Sequence, residues 1–160
     1  MLVLRSDISL KLRQVKLLLI NLKIFSEKAE DCDYGIIWKR TAAQVKKDMD
    51  LLGIDVLGYR SGSKIPAKSA KEQGIKNIII NGNRKKELLK KIDGEYSFKD
   101  IFLVGAEIND IEIAGLSRIS ATTSTSPLEL KMESDYVSNF SGINAYQEIG
   151  NLILNAKGPY

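Results

Sequence analysis

The chain has 160 residues, enough for one domain with a substantial core, and its 44% hydrophobic and 28% charged residues are ordinary for a globular protein. It has no histidine and a single cysteine, Cys32, which excludes Ser-His-Asp and Cys-His nucleophilic sites, histidine-ligated metals and an internal disulfide. The net charge is +4. Yet the clusters Lys46-Lys47, Arg84-Lys85-Lys86 and Lys90-Lys91 fall on expected helices with no aromatics interleaved, so they read as solvated faces and not as a nucleic-acid surface.

No apolar run approaches the roughly 20 residues that cross a bilayer, so no membrane partner is expected. Residues 1–13 are broken by Arg5, Asp7, Lys11 and Arg13, unlike a signal peptide, and with the lone cysteine this implies a cytoplasmic setting. Residues 1–14 read as an arm, helical or a disordered lead-in, before a domain at 15–160.

In that domain short apolar runs alternate with amphipathic stretches, the pattern of βαβ units around a mostly parallel sheet. The run at 15–20 is continuous enough for a strand buried on both faces. Residues 25–38 read as a loop or short hairpin. Thr41-Ala42-Ala43-Gln44 forms a capping box, Val45, Met49 and Leu52 share one helix face, and Gly53 stops the helix. A strand at 55–57 leads to a turn at 58–63, a helix at about 64–73 closed by Gly74, and a strand at 76–80. After the turn Asn81-Gly82-Asn83 comes a basic helix at 85–92. Residues 101–104 form the fourth strand, ended by Gly105, and Asn109-Asp110 opens a short helix. A strand around 118–120 runs into the Ser/Thr-rich stretch 121–126. Ser126 as N-cap, Pro127 and Glu129 start the next helix. A short strand at 136–137 and a helix at 144–155 close the chain.

Ligands of such sheets bind beyond the carboxyl ends of the strands. The residues there are Asn21, Leu22 and Lys23 after the first strand, Tyr59, Arg60, Ser61 and Ser63 after the second, the turn towards Lys86 after the third, and residues 105–110 after the fourth.

The runs Val15-Lys16-Leu17-Leu18-Leu19-Ile20-Asn21, Gly105-Ala106-Glu107-Ile108-Asn109-Asp110 and Gly115-Leu116-Ser117, and Asp135-Tyr136-Val137 with Ala145 and Glu148 beyond, resemble in order and spacing the haloacid dehalogenase (HAD) superfamily. The likeness is to its 3-deoxy-D-manno-octulosonate (KDO) 8-phosphate phosphatase branch, which includes the C-terminal domain of CMP-sialic acid synthetases, and it spans about 15–154. It implies a three-layer α/β/α Rossmann-like fold with a central, mostly parallel sheet and a short flap after the first strand.

Active members carry Asp-x-Asp-Gly, the first aspartate attacking phosphorus and the second transferring protons, because the nucleophile must already be anionic at neutral pH. The resemblance puts Asn21 at the nucleophile, Lys23 at the acid-base position and Ile24 at the glycine. The phosphate-binding Ser/Thr falls on Tyr59 or Ser61. Lys86 matches the lysine that balances phosphate charge. The Mg²⁺-binding Gly-Asp-Asp-x-x-Asp reads Gly105-Ala106-Glu107-Ile108-Asn109-Asp110, leaving Asn21, Glu107 and Asp110 as a remnant metal set. The flap's Arg-Asp pair is Thr41 and Ala42, and the arginine that reaches a neighbouring subunit is Gln147.

These departures imply a pseudo-phosphatase with no cofactor. Its role would lie in oligomerisation, as a homotetramer and with a cytidylyltransferase domain as a further partner, in KDO or sialic acid metabolism. The alternatives are a Mg²⁺-dependent phosphatase in which Glu107 and Asp110 hold the metal, and a sugar-phosphate-binding module using Lys23, Arg60 and Lys86. The Lys23 ammonium either stands in the metal's place, paired with Glu107 or Asp110, or points to solvent.

Overall fold

A computed structural model describes residues 6–27, 42–61, 71–92 and 94–157. Six parallel strands form one sheet in the order β3-β2-β1-β4-β5-β6. They are β1 (Leu17–Asn21), β2 (Asp55–Ser61), β3 (Lys76–Ile80), β4 (Ile101–Gly105), β5 (Ile119–Thr122) and β6 (Tyr136–Val137). The helices are α1 (Ser6–Arg13), α2 (Ala42–Leu51), α3 (Arg84–Ile92), α4 (Ile111–Leu116), α5 (Leu128–Glu133) and α6 (Gly142–Lys157).

β1 lies at the centre, and all five of its residues are buried. Successive side chains of a strand point to opposite faces, so β1 feeds two cores. Leu18 and Ile20 pack with Ile8 and Leu12 of α1, Val45 and Met49 of α2, and Ile149 and Ile153 of α6. Leu17 and Leu19 pack with Leu88 and Ile92 of α3, Ile113 of α4 and Leu130 of α5. Helices therefore cover both faces, giving the expected three layers. Among the described residues no helix is long and apolar enough to cross a membrane.

Several expectations are corrected. Gly58 does not open a turn: β2 runs on through Ser61, paired with β1 at Gly58 and Tyr59 and with β3 at Arg60 and Ser61. The glycine is required by close approach, since a Cβ there would lie 2.4 Å from Leu22 Cδ2. The Ser/Thr-rich stretch begins inside β5, which ends at Thr122. Ser126 does not cap α5; its hydroxyl accepts from Thr122 Oγ1 at 2.5 Å, and Pro127 takes the cap position without a side-chain bond. α6 starts at Gly142, two residues early, where Glu27 Oε1 accepts from the Gly142 N–H at 3.2 Å. Part of the 1–14 arm is the helix α1, whose Ile8 and Leu12 join the core. The flap at 28–41, including Thr41, and most of the helix expected at 64–73 lie outside the described residues.

Two substitutions test this packing. Gly58→Ala overpacks the fixed Leu22 contact and is expected to lower unfolding free energy by about 1–3 kcal/mol in urea titration. Tyr146 is buried, and among the described residues its hydroxyl has no hydrogen-bond partner. Tyr146→Phe removes that unsatisfied group and is expected to leave stability unchanged or raise it.

Candidate functional site

The carboxyl ends of β1, β2 and β4 converge because these strands are neighbours. Asn21 ends β1, and its side-chain carbonyl accepts from the Lys23 N–H at 3.0 Å, capping the 3-10 turn Leu22–Ser26. That bond fixes the amide's orientation. Its nitrogen then faces the opposite way and donates to Glu107 Oε1 and Asp110 Oδ2, each at 2.9 Å.

β4 supplies the acids. After Gly105 the chain makes the 3-10 turn Ile108–Asp110, and Asp110 folds its carboxylate back over the turn. Asp110 Oδ2 accepts the N–H groups of Ala106 at 2.8 Å and Glu107 at 3.0 Å. Gly105 makes room for this, since a Cβ there would sit 3.0 Å from Asp110 Cβ. Asp110 is completely buried.

Its other oxygen is held from β2 and α3. Tyr59 OH donates to Asp110 Oδ1 at 2.5 Å, and Arg84 Nη1 donates to the same atom at 2.6 Å. Arg84 Nη2 reaches Ser61 Oγ at 2.6 Å and Glu107 Oε1 at 3.3 Å. The guanidinium lies 5.5 Å from the centre of the Tyr59 ring, within cation-π range. Burial, followed by the charge of Asp110, raises the Tyr59 pKa, so the phenol remains a donor. Burial pulls the Arg84 pKa down, but the charge of Asp110, aided by Tyr59 and Glu107, outweighs it, and the net shift is upward.

The structure thus brings together Asn21, Ser61, Glu107 and Asp110. It does not bring in the other two candidates. The Lys23 side chain is exposed and forms no ion pair among the described residues, so it does not stand where a metal would. Lys86 is exposed on α3, and among the described residues only its backbone N–H is engaged, by Asn83 Oδ1 at 2.9 Å. The cation that meets the acids is Arg84, two residues earlier. Sequence reading placed Arg84 in a solvated basic run. Its available signal was position, the first helical residue after the β3 turn. Tyr59, read as a phosphate-binding candidate alternative to Ser61, is a donor to Asp110 instead.

The donor set does not fit Mg²⁺. A hard cation of this kind needs several oxygen ligands with free lone pairs. Here Asp110 accepts five hydrogen bonds, from Asn21, Ala106, Glu107, Tyr59 and Arg84. Glu107 accepts two, from Asn21 and Arg84.

Solved structures share this fold. The chain aligns with KDO 8-phosphate phosphatase from Moraxella catarrhalis, in complex with magnesium, phosphate and KDO, at TM-score 0.78 and 16% identity, covering 96% of this chain and 94% of that one. The enzyme from Yersinia pestis aligns at TM-score 0.75 and 16% identity, covering 96% and 88%. The cobalt-bound enzyme from Haemophilus influenzae aligns at TM-score 0.74 and 16% identity, covering 92% of each chain. No protein-family model and no curated protein matches the chain in sequence. The chain therefore has the HAD-like fold of the KDO 8-phosphate phosphatases, as its motifs imply.

The network ranks the site's residues by what they hold. Tyr59→Phe removes a donor from a buried carboxylate and is expected to cost about 1.5–3 kcal/mol in chemical denaturation. Lys23→Ala and Lys86→Ala, at exposed positions, are expected to stay within about 0.5 kcal/mol of the parent.

Proposed function

We propose that this chain is a phosphatase-like domain that keeps the HAD fold without its phosphoryl transfer. The observation that carries the reading is Asn21, a neutral amide where the resemblance puts the attacking aspartate. Its nitrogen is spent on Glu107 and Asp110 and its oxygen on the Lys23 N–H. An amide is no anion at neutral pH, and nothing here activates it. The residue at the acid-base position, Lys23, is exposed and lacks a carboxylate's proton-accepting capacity. The remaining role in this reading is assembly: a cytoplasmic homotetramer, with a cytidylyltransferase domain as partner, serving KDO or sialic acid metabolism.

A second reading is a divalent-metal phosphatase acting on a 2-keto-3-deoxy sugar acid phosphate. In its favour are the names of the structural neighbours and the magnesium and cobalt ions of two of them. Glu107 and Asp110 would be the ligands. Against it stand the five donors on Asp110 and the two on Glu107 Oε1.

Incubation with KDO 8-phosphate, with and without Mg²⁺, separates the two. The expected outcome is phosphate release at background in both. Metal-dependent turnover abolished by Glu107→Ala would establish the second reading and overturn the first. Light scattering of the purified chain tests assembly, with a mass four times that of the monomer expected and a monomer refuting the tetramer.

A further inference from the structure

A site built around two carboxylates needs positive charge. The relevant acids, Asp110 and Glu107, are buried and half-buried, so leaving them uncompensated would be costly. Only one cationic side chain among the described residues reaches them, that of Arg84. Its geometry is specific. The guanidinium spans both acids, at 2.6 and 3.3 Å, binds Ser61 with the nitrogen that reaches Glu107, and lies near the face of Tyr59. The side chain is only 8% exposed.

We propose that Arg84 is the resident cation of this site, a covalently attached guanidinium in place of a bound divalent ion. This deepens the proposed function and rests on it. The two acids hold an arginine, and the fold's integrity at the strand ends is independent of metal. Asn21 belongs to the same exchange. Its amide contributes donors where a carboxylate would add a third negative charge, so one guanidinium, with neutral donors around it, suffices. Glu107 is half-buried, and Asp110 lies fully buried behind Arg84. A cavity of about 470 Å³ opens beside Arg84, lined by Ser61, Asn83, Lys85, Asn109 and Glu112 among others. Removal of the guanidinium would free one lone pair on Asp110 Oδ1 and one on Glu107 Oε1 beside that cavity, hard oxygen donors of the kind Mg²⁺ takes.

The test is thermal unfolding of the full chain in EDTA and in MgCl₂ at matched ionic strength, for the parent, Arg84→Met and Arg84→Lys. The parent is expected to melt at the same temperature in both. Arg84→Met, which keeps most of the side-chain volume but no charge, is expected to lose roughly 10 °C in EDTA, because one partner of a buried pair is gone. It should regain several degrees in MgCl₂, since an ion that binds only the folded state stabilises it. Arg84→Lys is expected to fold and to ignore Mg²⁺.

Arg84→Met that becomes soluble only with MgCl₂ gives the same support. A parent chain stabilised by Mg²⁺ as much as Arg84→Met overturns the proposal, and so does Arg84→Met that is equally unstable with and without the ion. An Arg84→Lys chain that responds to Mg²⁺ as Arg84→Met does also counts against it. The readout is separable from catalysis. Phosphatase turnover by a parent chain indifferent to Mg²⁺ would sink the proposed function alone, whereas a Mg²⁺ shift without turnover would sink only the resident-cation assignment.

Discussion

A carboxylate with no solvent exposure, Asp110, sits where three strand ends and a helix start meet. Water cannot satisfy it, so the protein must. Five donors do so, and they come from β1, β2, the turn after β4, and α3. The constraint reaches outward from there. Gly105 leaves room for the carboxylate to fold back, since a Cβ there would sit 3.0 Å from Asp110 Cβ. Tyr59 must stay protonated to donate, and burial together with the neighbouring charge keeps it so. Arg84 must begin α3 at the height of the strand ends. The network ties the carboxyl edge of the sheet together by charge and hydrogen bonds, where the rest of the sheet is held by its two apolar cores.

The same network separates this site from a metal centre built on the same fold. In a metal site the acids turn their lone pairs towards an ion. Here the lone pairs meet N–H and O–H groups. The arrangement draws on distant positions: Asn21 and Ala106 bring neutral donors, and one guanidinium spans the two acids. Together they form a closed arrangement, and a buried pair made this way owes its persistence to the high cost of breaking it.

Much of this was legible in the residues. Apolar runs of four to six residues between amphipathic stretches announced a parallel sheet with helices on both faces. Parallel strands put their carboxyl ends on one side, so Asn21, Glu107 and Asp110 could be expected to meet although 86 and 89 residues separate Asn21 from the two acids. Other readings failed for local reasons. Gly58 carries a turn-former's signal, but here glycine answers a packing need, the approach of Leu22. Ser126 fits an N-cap by position, yet its hydroxyl found a tertiary partner in Thr122.

The amino-acid sequence by itself determined the sheet and the place of the site, because apolar periodicity and residue identity at strand ends are local properties. Only the tertiary structure decided which cation the acids hold. Three basic residues, Arg84, Lys85 and Lys86, stand in a row, and only their place at the helix start separates the first from the other two. Consecutive helical residues point about 100° apart. The angle at which α3 leaves the β3 turn therefore sends Arg84 inward to Asp110, turns Lys85 to Glu112 and leaves Lys86 exposed. That angle is set by packing of Leu88 and Ile92 against the sheet, a property of the whole fold.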